Sequence, residues 1–146
     1  MHIEHIMSVK LVTVNMDDNF ATIQELFEKT GFRHLLVVES HRLTGVISDR
    51  DLLRTISPFL NTPGERRCDR ATLHRRAHQI MARNLITITG EVSVSHALHL
   101  FNSHKISCLP VIDVNACPIG IVSWRDIMRY LELRIRGNRG LGTPAR

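Results

Sequence analysis

Short apolar runs alternate with amphipathic stretches in the first part of the chain. Leu11–Val14 has the length and alternation of a strand, and Phe20–Phe27 places its apolar residues at the spacing of a helix that faces a core. A β-rich run follows at Leu35–Val38, and a polar turn then leads to a third short strand at Gly45–Ile47. A second helix is predicted at Asp49–Ile56, so the order of elements is β-α-β-β-α.

The same order returns about 74 residues later, which indicates an internal repeat. Ile6-Met7 recurs as Ile80-Met81, and Gly45-Val-Ile-Ser-Asp-Arg-Asp recurs as Gly120-Ile-Val-Ser-Trp-Arg-Asp. The elements predicted for the second half are strands at Leu85–Ile88, Leu109–Ile112 and Gly120–Val122 and helices at Val94–Phe101 and Trp124–Leu133. Asp18 or Asn19, and Ser93, are expected to cap the first helix of each half.

We therefore predict an α/β (α+β) fold with one repeat at 1–56 and another at 80–133. A linker and a helix leading into the second repeat occupy 57–79, and a basic tail occupies 134–146. A repeat of about 50 residues is too small for a comfortable core of its own. The two repeats are therefore expected to pack face to face about a pseudo-twofold axis, with a duplicated cleft between them.

The formal net charge of +5 on 146 residues is concentrated outside the predicted repeats. The segment 61–79 holds five Arg and two acids, and the tail holds four Arg and no acid, so the remainder of the chain is slightly acidic. The uncharged run Val92–His104 is too short to span a bilayer, and three cysteines are a sparse, odd set. This composition predicts a cytoplasmic globular protein and makes nucleic-acid binding by the repeats unexpected.

Two motifs at matched positions resemble a known family. A Gly-apolar-apolar-Ser-x-x-Asp run stands at Gly45–Asp51 and again at Gly120–Asp126, after a strand that reads Leu109-Pro-Val-Ile-Asp113 in the second half. The corresponding strand Leu35–Glu39 lacks the proline. Over Ile6–Leu133 the chain resembles a tandem pair of CBS domains, together called a Bateman module.

The resemblance implies a regulatory sensor that is not an enzyme and that binds AMP, ADP, ATP or S-adenosylmethionine in the clefts. No required cofactor and no membrane span are expected, and the module is expected to act in trans on a partner as a homodimer. The alternative is a protein-interaction or nucleic-acid-docking module with vestigial clefts, which would use the basic linker and tail.

The resemblance implies that both repeats contribute to each cleft, with the Ser-x-x-Asp of one repeat facing the other repeat. The Asp carboxylate would accept the ribose hydroxyls and the Ser would meet a phosphate or ribose oxygen, although Ser-x-x-Asp is also a capping box that only closes a helix. The residues expected at one site are Ser123, Arg125, Asp126, Lys10, Leu11, Val12, Arg33 and His34. Those expected at the second site are Ser48, Arg50, Asp51, Asn84, Leu85, Ile86, Ser107 and Cys108.

The two predicted sites differ in charge. Arg33-His34 occupy the positions where family members often carry phosphate-binding cations, whereas Ser107-Cys108 occupy the matching positions of the second repeat. A phosphorylated nucleotide is therefore expected at the site of Asp126. Arg50 and Arg125 could reach phosphates or pair with acids elsewhere.

Other chemistry is less well supported by the sequence. His74 and His78 stand four apart on a predicted helix over Ala71–Ile80, but no further ligand stands at zinc-binding spacing beside them. Cys108 could be a reactive thiol or an ordinary buried cysteine. Trp124 could stack on a ligand base or pack at a subunit contact.

Overall fold

The computed structural model describes residues 1–139 and has an α+β architecture, as predicted. The chain divides into two compact units, and each is assembled from several segments. One unit contains Lys10–Ile86 and Val114–Pro118. The other contains Met1–Val9, Thr87–Asp113 and the chain from Ile119 onward. The predicted domain boundaries are drawn from the sequence repeat, whereas these units group residues that lie close together in space.

The unit containing Lys10–Ile86 is built on a three-stranded sheet in the order β1-β2-β3. Strand β1 (Thr13–Asn15) is parallel to β2 (His34–Glu39), and β2 is antiparallel to β3 (Arg42–Ser48). Helix α1 (Phe20–Thr30) connects β1 to β2, and helix α2 (Asp49–Thr55) follows β3 directly. This order confirms the predicted β-α-β-β-α pattern of the first repeat.

The ends of α1 follow simple local chemistry. The side chain of Asn19, one of the two predicted caps, accepts a hydrogen bond of 3.0 Å from the backbone N–H of Thr22. Asp18 instead accepts from the backbone N–H of Asn15 at 2.8 Å, which closes the turn before the helix. Gly31 ends the helix in the left-handed conformation that glycine adopts without strain.

The second unit holds β4 (Cys108–Ile112) and β5 (Pro118–Ser123) as a two-stranded sheet, together with α5 (Val94–Ser103) and α6 (Trp124–Arg139). Ile88 adds a parallel bridge to Val111 in place of a full strand, so the strand predicted at Leu85–Ile88 is reduced to one residue. Helix α6 continues to Arg139, beyond the end predicted at Leu133. The rest of the predicted basic tail, 140–146, lies outside the described residues.

The first residues of each repeat pair with a strand of the other repeat. Ser8, near the start of the first repeat, exchanges two backbone hydrogen bonds with Ile121 on β5, at 2.9 and 3.0 Å. At the equivalent place in the other unit, Ala82 exchanges two with Val46 on β3, at 2.9 and 3.2 Å. Ser8 and Ala82 occupy equivalent positions of the sequence repeat, so the pairing is common to both halves.

The buried core of the unit around β1–β3 includes residues from this exchanged segment. Ala77, Ile80 and Met81 belong to one cluster with the apolar faces of the sheet, α1 and α2. The remaining buried members of this cluster are Val14, Phe20, Ile23, Leu35, Val37, Ile47 and Leu52. The first repeat therefore does not complete its core with its own residues, as expected from its small size.

The helix predicted over Ala71–Ile80 is wrong, because the segment forms three short pieces. Helix α3 (Arg67–Ala71) passes into a 3-10 turn at Thr72–His74, and helix α4 (Ala77–Ile80) begins separately. Between them the backbone is extended, since the carbonyl of Arg75 accepts from the N–H of Phe20 at 2.9 Å. Tertiary hydrogen bonds at the start of α1 thus override the local helical pattern.

Glycine at position 45 leaves room for Met81 against the strand. A Cβ added at Gly45 would lie 2.7 Å from the Cγ and 2.9 Å from the Cβ of Met81. Because the Cβ of Met81 is part of the clash, rotation of the methionine side chain cannot relieve it. A Cβ added at Gly120 in the other unit would meet Met7 in the same way, with its Cγ at 3.0 Å.

We expect Gly45→Ala to lower the free energy of unfolding by about 1–3 kcal/mol, because it overpacks a filled contact. The measurement is urea denaturation of Gly45→Ala, Met81→Ala and the double variant. The double variant should be less destabilised than the sum of the single variants by roughly 0.5–3 kcal/mol, since Met81→Ala removes the atoms that clash.

Gly64→Ala is the matched control, because a Cβ at Gly64 meets only the Thr62 hydroxyl, at 3.9 Å. It should leave the unfolding midpoint almost unchanged. Additive effects of Gly45→Ala and Met81→Ala would show that the two residues do not constrain each other.

Candidate functional site

The turn from β3 into α2 presents the first Ser-x-x-Asp. The hydroxyl of Ser48 accepts from the N–H of Asp51 at 3.1 Å, and Oδ2 of Asp51 accepts from the N–H of Ser48 at 2.9 Å. This is a complete capping box. Among the described residues no hydrogen bond reaches the other carboxylate oxygen, Oδ1. The cap therefore fixes the carboxylate while leaving one oxygen and further lone pairs for another donor.

The second Ser-x-x-Asp has the same plan with different hydrogen bonds. Oδ2 of Asp126 accepts from both the N–H and the hydroxyl of Ser123, at 2.7 and 2.9 Å. The N–H of Asp126 lies farther from the Ser123 oxygen, at 3.4 Å. In this turn too, no described donor reaches Oδ1. The capping interpretation is thus supported at both turns, and it does not exclude ligand binding at either.

Arg33 and His34 lie beside the Ser48 turn of their own repeat. His34 begins β2 directly opposite Ser48, and the carbonyl of Arg33 accepts from the N–H of Asp49 at 3.0 Å. Burial lowers the pKa of the His34 imidazole, opposed by the carboxylates of Asp49 and Asp51 and reinforced by Arg33. These contacts are with the turn of the same repeat that carries Asp51, and the predicted grouping of Arg33 and His34 with Asp126 stays a prediction.

Two further predicted segments belong to the same compact unit. Asn84–Ile86 follow Ala82, the residue paired with Val46 on β3, and Leu85 and Ile86 are half-buried. Lys10–Val12 precede β1, and the carbonyl of Val12 accepts from Leu36 at 3.1 Å. The predicted residues found in this unit are Ser48, Arg50, Asp51, Arg33, His34, Lys10, Leu11, Val12, Asn84, Leu85 and Ile86.

The remaining predicted residues belong to the other unit. Ser123 ends β5, and Arg125 and Asp126 lie in the first turn of α6. Ser107 is exposed immediately before β4, whose first residue, Cys108, is buried. Burial of Cys108 favours the ordinary apolar role over the reactive thiol.

The position that follows the cap serine distinguishes the two turns, and the predictions from the sequence include Trp124 at this position but not Asp49. The residue after the cap is Asp49 in one and Trp124 in the other. Asp49 places a second carboxylate within electrostatic range of His34, whereas Trp124 has 52% of its surface exposed. Alignment of the two repeats shows this difference in residue type. The structure adds that Asp49 lies next to Arg33 and His34, so it contributes negative charge there.

The described residues contain no group of three His, Cys, Asp or Glu side chains that could hold a metal ion. His74 lies in the 3-10 turn and His78 in α4, so the helical spacing on which the zinc alternative depended is not formed. No helix within residues 1–139 is long and apolar enough to cross a membrane.

The model of the CBS domain family matches the chain twice, at residues 3–58 and 77–133. A CBS domain-containing protein of Dictyostelium discoideum is 33% identical over 131 residues, which are 88% of this chain and 90% of that protein. Other curated relatives are much longer. The chain spans 37% of an uncharacterized protein of Methanocaldococcus jannaschii and 27% of a homoserine O-acetyltransferase of Methanococcus vannielii.

Solved structures of CBS domain pairs share the fold. One, in complex with 5′-methylthioadenosine and S-adenosyl-L-methionine, has a TM-score of 0.76 at 23% identity and covers 92% of this chain and 98% of its own. CBSX2 in complex with AMP has a TM-score of 0.75 at 22% identity, with the same coverage of both chains. The predicted tandem pair is confirmed by the family model and by these folds.

The lowered pKa of His34 predicts a pH dependence of stability. Burial disfavours the imidazolium, so the unfolded chain, with a pKa near 6.5, binds the proton more tightly than the folded chain. The stabilising effect of neutral His34 is therefore present above pH 6.5 and is lost as the pH falls below it. We expect the unfolding midpoint of the wild type to decline more between about pH 7.5 and 5 than that of His34→Gln.

The measurement is urea denaturation at a series of pH values, with His104→Gln as the control because His104 is exposed. The control should follow the wild type. An equal pH slope for His34→Gln and the wild type would show that His34 is not perturbed by folding.

Proposed function

Because this chain belongs to the CBS domain family, as a tandem pair of CBS domains, we propose that it is a regulatory module that binds an adenosine ligand. The ligand proposed is a phosphorylated adenosine of the AMP, ADP or ATP type, with S-adenosylmethionine as the alternative. We further propose that the module is not itself an enzyme, acts in trans on a partner and works in the cytoplasm, where its three cysteines would stay reduced.

The observation that carries the proposal is the geometry of the Ser48 turn. The cap holds the Asp51 carboxylate through Oδ2, so that Oδ1 is available to the ribose hydroxyls without any rearrangement. Accepting two hydroxyl donors requires a fixed, ionised carboxylate, and the N-terminus of α2 stabilises that charge. The half-buried Leu85 and Ile86 of the same unit offer apolar surface for the adenine ring.

Arg33 supports placing the phosphate at this turn rather than at the turn of Asp126. Its backbone is hydrogen-bonded to Asp49, and its side chain is exposed with no ion pair among the described residues. Arg50 is a second exposed cation within the turn. His34, which is neutral at pH 7 because burial lowers its pKa, would add a hydrogen bond rather than a charge.

Calorimetric titration with AMP tests the assignment. Asp51→Asn should weaken AMP binding by about tenfold or more, because an amide is a poorer acceptor for ribose hydroxyls than a carboxylate. Its amide oxygen can still accept from the N–H of Ser48, so the cap is kept. Arg33→Gln should weaken AMP but leave adenosine unchanged, since only AMP carries the phosphate.

Asp126→Asn is the matched control and should retain the AMP site. If Asp126→Asn abolishes binding while Asp51→Asn is neutral, the phosphate site has been placed in the wrong repeat. If neither AMP nor S-adenosylmethionine binds the wild type up to millimolar concentration, the sensor function itself is wrong.

We also propose that the module is a homodimer that pairs through α6. Exposed apolar side chains recur along this helix at Trp124, Met128 and Ile135, with the half-buried Leu131 between the last two. The spacing of four, three and four residues is that of a helix-packing seam. Burial of such a seam against a second copy would remove apolar surface from water at about 25 cal/mol per Å².

Light scattering after size exclusion tests the dimer. Met128→Glu combined with Ile135→Glu should convert the dimer to a monomer, because two charges would be buried in the seam. Val114→Glu serves as the control, since Val114 is 99% exposed and lies away from α6 in the chain. A wild type that is monomeric at about 0.1 mM, well above the Kd of a stable dimer, would refute the seam.

A further inference from the structure

The segment between the two family matches, residues 59–76, is folded and carries half of the arginines of the unit that contains it. It lies outside both CBS domains and takes no part in the site at Ser48. Its structure rests on one carboxylate, Asp69, which is the buried charged residue of the described chain, with 8% of its surface exposed.

Asp69 ties the segment to Ser57, which comes just before it. Its Oδ1 accepts from the hydroxyl of Ser57 at 2.6 Å, and its Oδ2 accepts from the N–H of Arg66 at 2.7 Å. Its carbonyl accepts from the hydroxyl of Thr72 at 2.6 Å. The hydrogen bond from Ser57, followed by that from the Arg66 backbone, lowers the pKa of Asp69 and favours the ionised carboxylate. The charge of Asp69 is therefore stabilised by groups within and next to the segment.

The same hydrogen bonds hold Phe59 on the surface. The N–H of Phe59 donates to the hydroxyl of Ser57 at 3.2 Å, and its carbonyl accepts from the N–H of Thr62 at 3.1 Å. Both backbone groups are therefore satisfied within the loop, yet the side chain remains 57% exposed. A large aromatic ring fixed outside the core has lost backbone freedom without gaining burial, which is typical of an anchor for a partner.

The first three arginines after Phe59 lie in the segment, and the N–H of Arg66 donates to Asp69, the carboxylate that also binds the Ser57 hydroxyl beside Phe59. Arg66, Arg67 and Arg70 lie at or within α3 and are all exposed. Within the described residues their one ion pair is Arg70 with Glu65, at 3.6 Å. This pair joins an exposed guanidinium to a half-buried carboxylate, so most of the Arg70 side chain stays accessible. The segment thus presents an exposed aromatic ring and three exposed arginines, against two acids of its own, Glu65 and Asp69.

We propose that Phe59, Arg66, Arg67 and Arg70 form a docking surface for an acidic protein segment that carries an apolar side chain between its carboxylates. The guanidinium fork binds carboxylates in pairs of parallel hydrogen bonds, and an apolar partner side chain would cover the Phe59 ring. This surface does not depend on the proposed adenosine site, and it offers a route by which the module contacts a separate protein.

The small extent of the surface favours a peptide over a nucleic acid. Helix α3 has five residues, so at about 1.5 Å per residue its arginines span less than 10 Å. Non-specific binding to nucleic acid generally neutralises roughly six to ten phosphates, which needs a much longer track of cations. Two or three carboxylates around one apolar residue match three arginines and one phenylalanine.

Fluorescence anisotropy with a labelled peptide of Glu, Phe and Leu at about 0.15 M salt tests the proposal. The wild type should bind this peptide and not a version with Gln in place of Glu. Arg66→Gln combined with Arg67→Gln should weaken binding by about tenfold or more, and Phe59→Ser by roughly threefold or more. Arg42→Gln combined with Arg54→Gln removes the same charge from exposed positions outside the segment and should change binding less than twofold.

Phe59→Ser also guards against misfolding, because its side chain takes no part in the hydrogen bonds around Asp69. Equal loss of binding in the two double variants would mean that only net charge matters and would overturn the proposal. Absence of peptide binding by the wild type would do the same. Tighter binding of a labelled DNA or RNA strand than of the peptide, lost in Arg66→Gln with Arg67→Gln, would identify the surface as a nucleic-acid site instead.

Discussion

The close approach of a methionine to a strand glycine is the contact on which the rest of the structure depends. Met81 lies against Gly45, and Met7 lies against Gly120 in the same arrangement. A side chain at Gly45 would overlap Met81 as far as its Cβ and so push the incoming segment away from its strand, whereas at Gly120 the overlap is with the Sδ and Cγ of Met7. Each segment begins one repeat and packs with the strands of the other, so neither repeat completes its packing with its own residues. In the same approach Ala82 pairs with Val46 on β3.

A capping box and a ligand site are usually treated as competing explanations of Ser-x-x-Asp, and the hydrogen bonds here show that they are compatible. The cap uses Oδ2 of Asp51 and the hydroxyl of Ser48, and these hydrogen bonds fix the orientation of both side chains. An ionised carboxylate has about four lone-pair positions, so one cap hydrogen bond leaves room for two hydroxyl donors. Under the proposed function the helix cap would therefore prepare the site, and loss of either residue would affect stability as well as affinity.

The sequence predicts the repeat, the order of elements and the two capping turns, because these depend on local periodicity and on spacing. The sequence does not predict which repeat each of these first segments packs against. The pattern of an apolar run such as the one before Met81 is compatible with packing on either sheet. The break at Arg75 has the same origin. Its backbone is held extended by Phe20, more than 50 residues away, and helix propensity contains no information about that partner. Strand register, which places His34 opposite Ser48, is likewise a tertiary property that the sequence pattern does not contain.

The duplicated backbone contrasts with side chains that have diverged between its two copies. Both turns keep the glycine, the serine and the aspartate, which are the groups that the backbone arrangement requires. At the positions free of that requirement the copies differ in charge, with Asp49 in one and Trp124 in the other. If both turns bound the same ligand, we would expect residues of similar charge at these two positions, because the side chains around the cap must match the charge of the ligand. Two turns of one geometry but unlike charge should therefore select ligands of unlike charge. Asp49 by itself disfavours an anion at the Ser48 turn, so our proposal of the phosphate there depends on Arg33 and Arg50 outweighing that carboxylate.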